Sequence, residues 1–374
     1  MRTAIISDLH LGATTGEDVA RDPEIRRALL DEIAGAERLV LLGDAIELRE
    51  QPLPIALERA RPFFEEVGEA IGDGEVMLVP GNHDHRFAEP LLERINAGGQ
   101  GALGLARTEP AADGPAATIA GWLGGARLTV SYPGVWVRDD VYATHGHYMD
   151  CHMTLPRLEC LATATVMRIF GSIPDRAKPA DYEKVLQPIY GFTHGMAQAG
   201  LAQRAHRPSE RAWRAISGRR RPRGRIRDAA LRATVGAGVP ATIWALNRTL
   251  RSDFEPILTA EAITRSGIAA ATETCRRLGL VGVDVITGHT HRPGPLDGEA
   301  EWVLDGGGRL HNTGSWTFAS AFHHPGTPPG PYWPGTVTWV EESGPPRRVR
   351  LLTGRSREEM RAAVARSAAS AALA

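Results

Sequence analysis

Short apolar runs alternate with stretches of helical period through the first part of the chain, and each run breaks off into polar side chains. Arg2–Ser7 (RTAIIS) predicts a strand from its β-branched, apolar content. Pro23–Ala34 places Ile25, Leu29 and Ile33 at helical spacing, with an acid near its start and Gly35 as a stop. Leu39–Leu42 (LVLL) reads as a second strand, about Ile55–Ile71 as a helix and Val76–Val79 (VMLV) as a third strand. This β-α-β-α-β rhythm predicts an open α/β sheet, where ligands sit outside the carboxyl ends of the strands.

Further along, Gly98–Gly125 reads as loop with one short helix, and Arg127–Tyr132 and Val135–Val137 as strands around Pro133-Gly134. Asp140–Thr144 and Val283–Thr287 are further strands, with Trp302–Leu304, Leu310–His311 and Thr336–Val340 at the edges and a turn over Asn312–Trp316. Between them the pattern changes. Met153–Phe170, Gly195–Arg207 and Thr259–Leu278 have helical character, Ser172–Pro188 is proline-spaced, and Gly279 suits a helix C-cap. The expected organisation is a core of residues 1–147 and 281–352, a helical cap inserted at 148–280, and an exposed Ala/Arg helix or tail at 353–374.

The strand tips carry the chemistry. They hold Asp8-Leu9-His10, Gly43-Asp44-Ala45-Ile46-Glu47, Gly81-Asn82-His83-Asp84, His145-Gly146-His147 and Gly288-His289-Thr290-His291. Asp8, His10, Asp44, Asn82, His145, His289 and His291 are oxygen and nitrogen donors without a thiolate, a set that suits Mn²⁺ first, with Fe or Zn²⁺ as alternatives. They are too many for one tetrahedral ion and fit two, with Asp44 on a central strand as the bridging carboxylate. His83, beside a ligand and next to the Asp84 carboxylate, is placed to protonate a leaving group. Glu47 reads either as a group that orients a ligand or as a helix N-terminal acid. His147 and Asp150, just beyond a ligand strand, are candidate substrate contacts, and His323-His324 lie in a proline-rich loop.

Composition narrows the class. The 374 residues are 43% apolar and 23% charged, as in a globular enzyme rather than a disordered or fibrous chain. Cys151, Cys160 and Cys275 form no CxxC pair, which argues for a reducing compartment, and the spacing of Cys151, His152 and Cys160 does not suit zinc. MRTAIISDLHLG lacks the apolar core of a secretory signal, and Ala233–Asn247 is too short and broken to span a bilayer, so a cytoplasmic location is expected. The net charge of −1 conceals an asymmetry, because Tyr148–Leu280 holds 21 Lys/Arg against 11 Asp/Glu. Eleven arginines lie in Arg204–Arg232. That run reads as a solvated linker, as a face for nucleotide or nucleic acid, or as a peripheral contact with a membrane surface.

In their order, DLH, GDAIE, GNHD, THGH and GHTH resemble the signature of the calcineurin-like metallophosphoesterases, over about residues 1–147 and 281–316. The resemblance implies a four-layer αββα sandwich. It implies one divalent metal ion held by Asp8, His10, Asp44 and His291, and a second held by Asp44, Asn82, His145 and His289, with His83 as general acid or phosphate contact. The implied reaction is hydrolysis of a phosphodiester, phosphoanhydride or phosphomonoester by in-line attack of a hydroxide bridging the two metals. The helical insertion is also similar to that of bacterial UDP-diacylglucosamine pyrophosphatases, which implies a lipid-linked or UDP-sugar substrate at a membrane surface. His83 stands where those enzymes have an arginine and looks more like the phosphodiesterase and nuclease members, which implies nucleic-acid processing instead.

Overall fold

Side chains along each central strand alternate between two apolar layers, the period of two that a doubly covered sheet requires. In the computed structural model, which describes residues 1–98, 101–200, 239–256, 259–320, 323 and 329–372, this alternation builds four layers. On β1 (Thr3–Ile6), Ala4 and Ile6 face helices while Ile5 faces a second set of strands. The same split recurs on β2 (Arg38–Leu42), β3 (Glu75–Val79) and β9 (Thr336–Val340). The outer residues pack on α1 (Pro23–Ile33), α2 (Leu53–Ile71), α4 (Gly114–Trp122) and α9 (Arg357–Ala372). Each fully buried Leu, Ile or Phe in this layer contributes roughly 1.5–3 kcal/mol.

The strands follow one path, β10-β9-β1-β2-β3-β5-β6-β7-β8, with β4 (Ala106–Pro110) paired to β5 and β10 (Arg347–Arg350) at one end. The path doubles back at β5 (Arg127–Arg138). Its first half runs parallel to β3, and its second half pairs antiparallel with β6 (Val141–Thr144). The two strands expected around Pro133-Gly134 are therefore one strand crossing between two sheets. β6, β7 (Asp284–Thr287) and β8 (Leu310–Asn312) are parallel and put Val141, Ala143 and Ile286 against Ile5, Val40 and Val79. Tyr142 and Val285 face outward onto α5 (Leu158–Phe170), α7 (Val239–Leu250) and α8 (Ala260–Leu278), the fourth layer. The αββα sandwich is thus present.

Local signals explain several boundaries. The Asp22 side chain accepts from the Ile25 N–H with Pro23 in the first turn of α1, and Thr259 caps α8 in the same way, with Gly279 in left-handed conformation at its end. Other elements differ from expectation. α6 (Pro179–Gln198) runs through the proline-spaced segment, because Pro179 occupies the tolerant first turn and the buried face of Tyr182, Val185 and Leu186 outweighs the bond lost at Pro188. α3 (Glu89–Asn96) was not legible, and Trp302–Leu304 forms an isolated bridge rather than a strand. α9 is docked rather than exposed: Met360 and Ala363 are buried in the core, and Arg366 pairs with Asp22. Arg204–Arg232 and His324 lie outside the described residues. Among the described residues no helix is long and apolar enough to cross a membrane.

Candidate metal centre

Parallel pairing in register brings the strand tips level: Leu42 lies beside Val79, Ile6 beside Leu41, and Ala143 beside Ile286. Past those pairs the backbone turns sharply. Among the described residues six non-glycine positions have left-handed φ, and five of them are Asp8 (55°), His10 (48°), Asp44 (51°), His289 (65°) and His291 (60°). Each costs on the order of 1 kcal/mol, which marks stored strain at a working site. The turns are held by backbone bonds from Asp8 N to Gly43 O (3.1 Å), His10 N to Asp44 O (2.8 Å) and Gly288 N to His145 O (3.0 Å). Two glycines leave the room that the side chains take. A Cβ on Gly81 would collide with the Asp44 carboxylate and the His145 ring, and one on Gly288 would collide with Ser7 and Asp8.

All seven predicted donors come together. Asp8 Oδ1 lies 3.1 Å from His291 Nε2, which is 3.3 Å from His10 Nε2. Asp44 Oδ2 lies 3.3 Å from His145 Nε2 and 3.7 Å from His10 Nε2. Asn82 Oδ1 lies 3.2 Å from His145 Nε2 and 3.1 Å from His289 Nδ1. Three triplets have ligand atoms within 4.8 Å of one another: Asp8, His10, His291; His10, Asp44, His83; and Asp44, His145, His289. The opposite nitrogen of each imidazole is engaged: His10 Nδ1 with Glu47 (2.9 Å), His145 Nδ1 with Leu42 O (3.0 Å), His289 Nε2 with Asp150 (2.9 Å) and His291 Nδ1 with Thr317 (3.2 Å). Such outer partners fix the ring and its tautomer so that the inner nitrogen presents a lone pair.

The electrostatics ask for positive charge. Burial would raise the Asp8 and Asp44 carboxyls, but surrounding imidazoles, His291 first at Asp8 and His145 first at Asp44, hold both below the usual carboxylate range. Burial would lower His145, yet Asp44 and then Asp8 bring it up to about 9. Asp8 Oδ1 is buried without a hydrogen-bond partner. An orphaned acceptor facing imidazole nitrogens, in a thiolate-free donor set, fits divalent cations, which balance the carboxylates while leaving the imidazoles neutral.

The remaining predicted residues are placed differently. The carboxylate beside His83 is Glu47, 2.6 Å from Nδ1, rather than Asp84. Asp84 points inward and accepts the N–H groups of Asp44 (3.1 Å), Ala45 (2.7 Å) and Gly81 (2.7 Å), tying the loops after β2 and β3 together. His147, expected at the substrate, is 1% exposed and bonds Tyr132 Oη (3.1 Å), because the short helix His147–Cys151 turns it into the interior. Asp150, with the same expectation, sits behind His289. His323 stacks on Phe318 beside Trp333. The three cysteines are free and buried. Sequence reasoning missed Ser7, whose single O–H lies between Asp8 Oδ2 and Leu42 O, and Arg49 just past Glu47, together with Thr317 and Glu159, whose segments carry no motif of their own.

The model of the family described as calcineurin-like phosphoesterase matches residues 1–197, more than half of the chain. No curated protein matches it.

Proposed function

The chain belongs to the calcineurin-like phosphoesterase family, whose members are metal-dependent phosphoric ester hydrolases, and we propose that it hydrolyses a phosphodiester or phosphoanhydride at the strand-tip centre. The observation that carries this reading is Asp44 Oδ2 set between the imidazoles of His10 and His145 while Asp8 Oδ1 has no hydrogen-bond partner. Asp8, His10, Asp44 and His291 would hold one ion, and Asp44, Asn82, His145 and His289 the other, with Mn²⁺ the favoured metal. When bound, such a pair supplies Lewis acidity to the phosphoryl oxygens and an activated water at neutral pH.

The chain's own groups do the rest. Glu47 accepts at both His10 Nδ1 and His83 Nδ1, so one carboxylate orients a metal ligand and the neighbouring imidazole together. With Nδ1 held, His83 directs Nε2 along the edge of the centre, 4.0 Å from Asp44 Oδ2. His83 and His291 are its most open side chains, 23% and 36% exposed, and mark where substrate enters. We assign His83 the contact with the leaving oxygen: its Nε2 accepts from Arg49 in the free protein and would serve as the proton donor once protonated, with Arg49 turned to the substrate. Asp84 acts by holding the two loops in register.

A second reading, a lipid-linked substrate at a membrane surface, is favoured by one observation. Leu158, Ile169, Phe170, Phe192 and Trp244, on α5, α6 and α7, are between 58% and 69% exposed. Purified protein loaded with Mn²⁺ and offered phosphomonoesters, diesters, nucleotides, single-stranded DNA and lipid pyrophosphates tests both readings. Hydrolysis of at least one class, abolished by chelation and restored by Mn²⁺, is expected; absence of hydrolysis with metal bound would reject the enzyme assignment.

A further inference from the structure

One guanidinium stands at the open edge of the centre. Arg49, on the loop after β2, has Nη1 3.2 Å from His83 Nε2 and Nη2 3.2 Å from Glu159 Oε1 in the first turn of α5. Both ends of that ion pair are mostly covered yet still reach solvent, at 17% and 21% exposure. Arg157, immediately before α5, is exposed. Burial would raise the Glu159 carboxyl, but Arg49 and then Arg157 pull it down to about 2, so one carboxylate lies in the field of two guanidinium groups.

We propose that Arg49, with Arg157 at the helix start two residues before Glu159 as a flanking charge, forms a subsite for a second anionic group carried next to the scissile phosphorus, and that Glu159 occupies this subsite until substrate displaces it. The inference rests on the hydrolase reading above and narrows it to substrates with two adjacent phosphates. Three physical points support it. Arg49 contacts His83, which borders Asp44, so its donors lie one side chain away from the seat of the scissile group. A guanidinium fork matches phosphate geometry, and charge-assisted bonds to phosphate are about twice as strong as neutral ones. The Arg49–Glu159 contact is, at 3.2 Å, long for a charge-assisted bond, so a phosphate that takes both prongs of the fork can replace the carboxylate. A substrate with a single phosphorus leaves Glu159 in place and gains nothing from either arginine.

ADP and AMP, which differ by one phosphate, are the probes. Their binding to Mn²⁺-loaded protein at fixed free Mn²⁺ is read by equilibrium dialysis and by competition against bis(4-nitrophenyl) phosphate hydrolysis. The wild type is expected to hold ADP about tenfold or more tighter than AMP. That ratio should collapse toward one in Arg49→Ala, fall partway in Arg49→Lys and Arg157→Ala, and rise in Glu159→Gln. A ratio near one in the wild type, or the same ratio in Arg49→Ala as in the wild type with equal metal content, overturns the subsite. Weaker ADP binding in Glu159→Gln overturns its displacement. If the metal-loaded wild type hydrolyses none of the substrate classes offered above, the hydrolase reading fails instead, while dialysis still reports on the subsite.

Discussion

Two buried polar clusters lie side by side in this molecule, and they behave as opposites. At the strand tips, carboxylates and imidazoles aim at common points, Asp8 Oδ1 is orphaned, and the backbone is strained at five of the seven donors. A few residues away, Glu183 on α6 accepts from Tyr132 Oη (2.5 Å), from Tyr148 Oη (2.6 Å) and at its other oxygen from His85 (3.0 Å). Its neighbours leave only neutral groups unpaired, His147 Nδ1 and the Tyr190 hydroxyl. Histidine and carboxylate content does not separate the two clusters; closure does. A polar cluster that satisfies its own charge holds a fold together, whereas one that leaves charge facing inward awaits a ligand.

The largest expected effect tests the open cluster. Asp44→Asn removes the shared charge and should lower hydrolysis by roughly 10³-fold or more, about 4 kcal/mol in the transition state. Elemental analysis should show metal lost. His83→Ala in the same assay should slow turnover with metal retained; equal metal loss in both variants would erase the distinction between ligand and proton donor. Next comes the closed cluster. Glu183→Ala leaves two tyrosine hydroxyls and His85 without their acceptor and should destabilise the fold by about 3–5 kcal/mol in denaturant unfolding. A shift no larger than that of a surface substitution would show that the cluster does not hold α6 to the sandwich. The smallest effect lies where the clusters meet. Asp150→Asn still reaches His289 but loses its charge, and should weaken metal affinity about 10- to 100-fold in a chelator competition. If Asp150 instead met substrate, KM would rise with metal affinity unchanged.

Much of this was legible from the chain alone. Alternation of two and of three to four residues reports burial period, so β1, β2, β3, α1 and α2 were visible, as was the placing of DLH, GDAIE and GNHD at one sheet edge. Glu47 was visible only as a choice between two roles; the bond to both His10 and His83 decides it. α6 and α9 were misread because tertiary burial outweighed a proline and an alanine-rich, weakly patterned surface.

The sequence by itself determined which donors exist, their types and the strand ends that carry them, because these follow from local pattern and composition. Only the tertiary structure decided where each side chain points. Past each strand tip the left-handed turns, the short helix His147–Cys151 and long-range hydrogen bonds set directions that no periodicity encodes, and Asp84, His147 and Asp150 face inward while His83 and His291 face out. It also decided who stands behind each ligand, since the bond from His289 N to Asp8 spans 281 positions of chain.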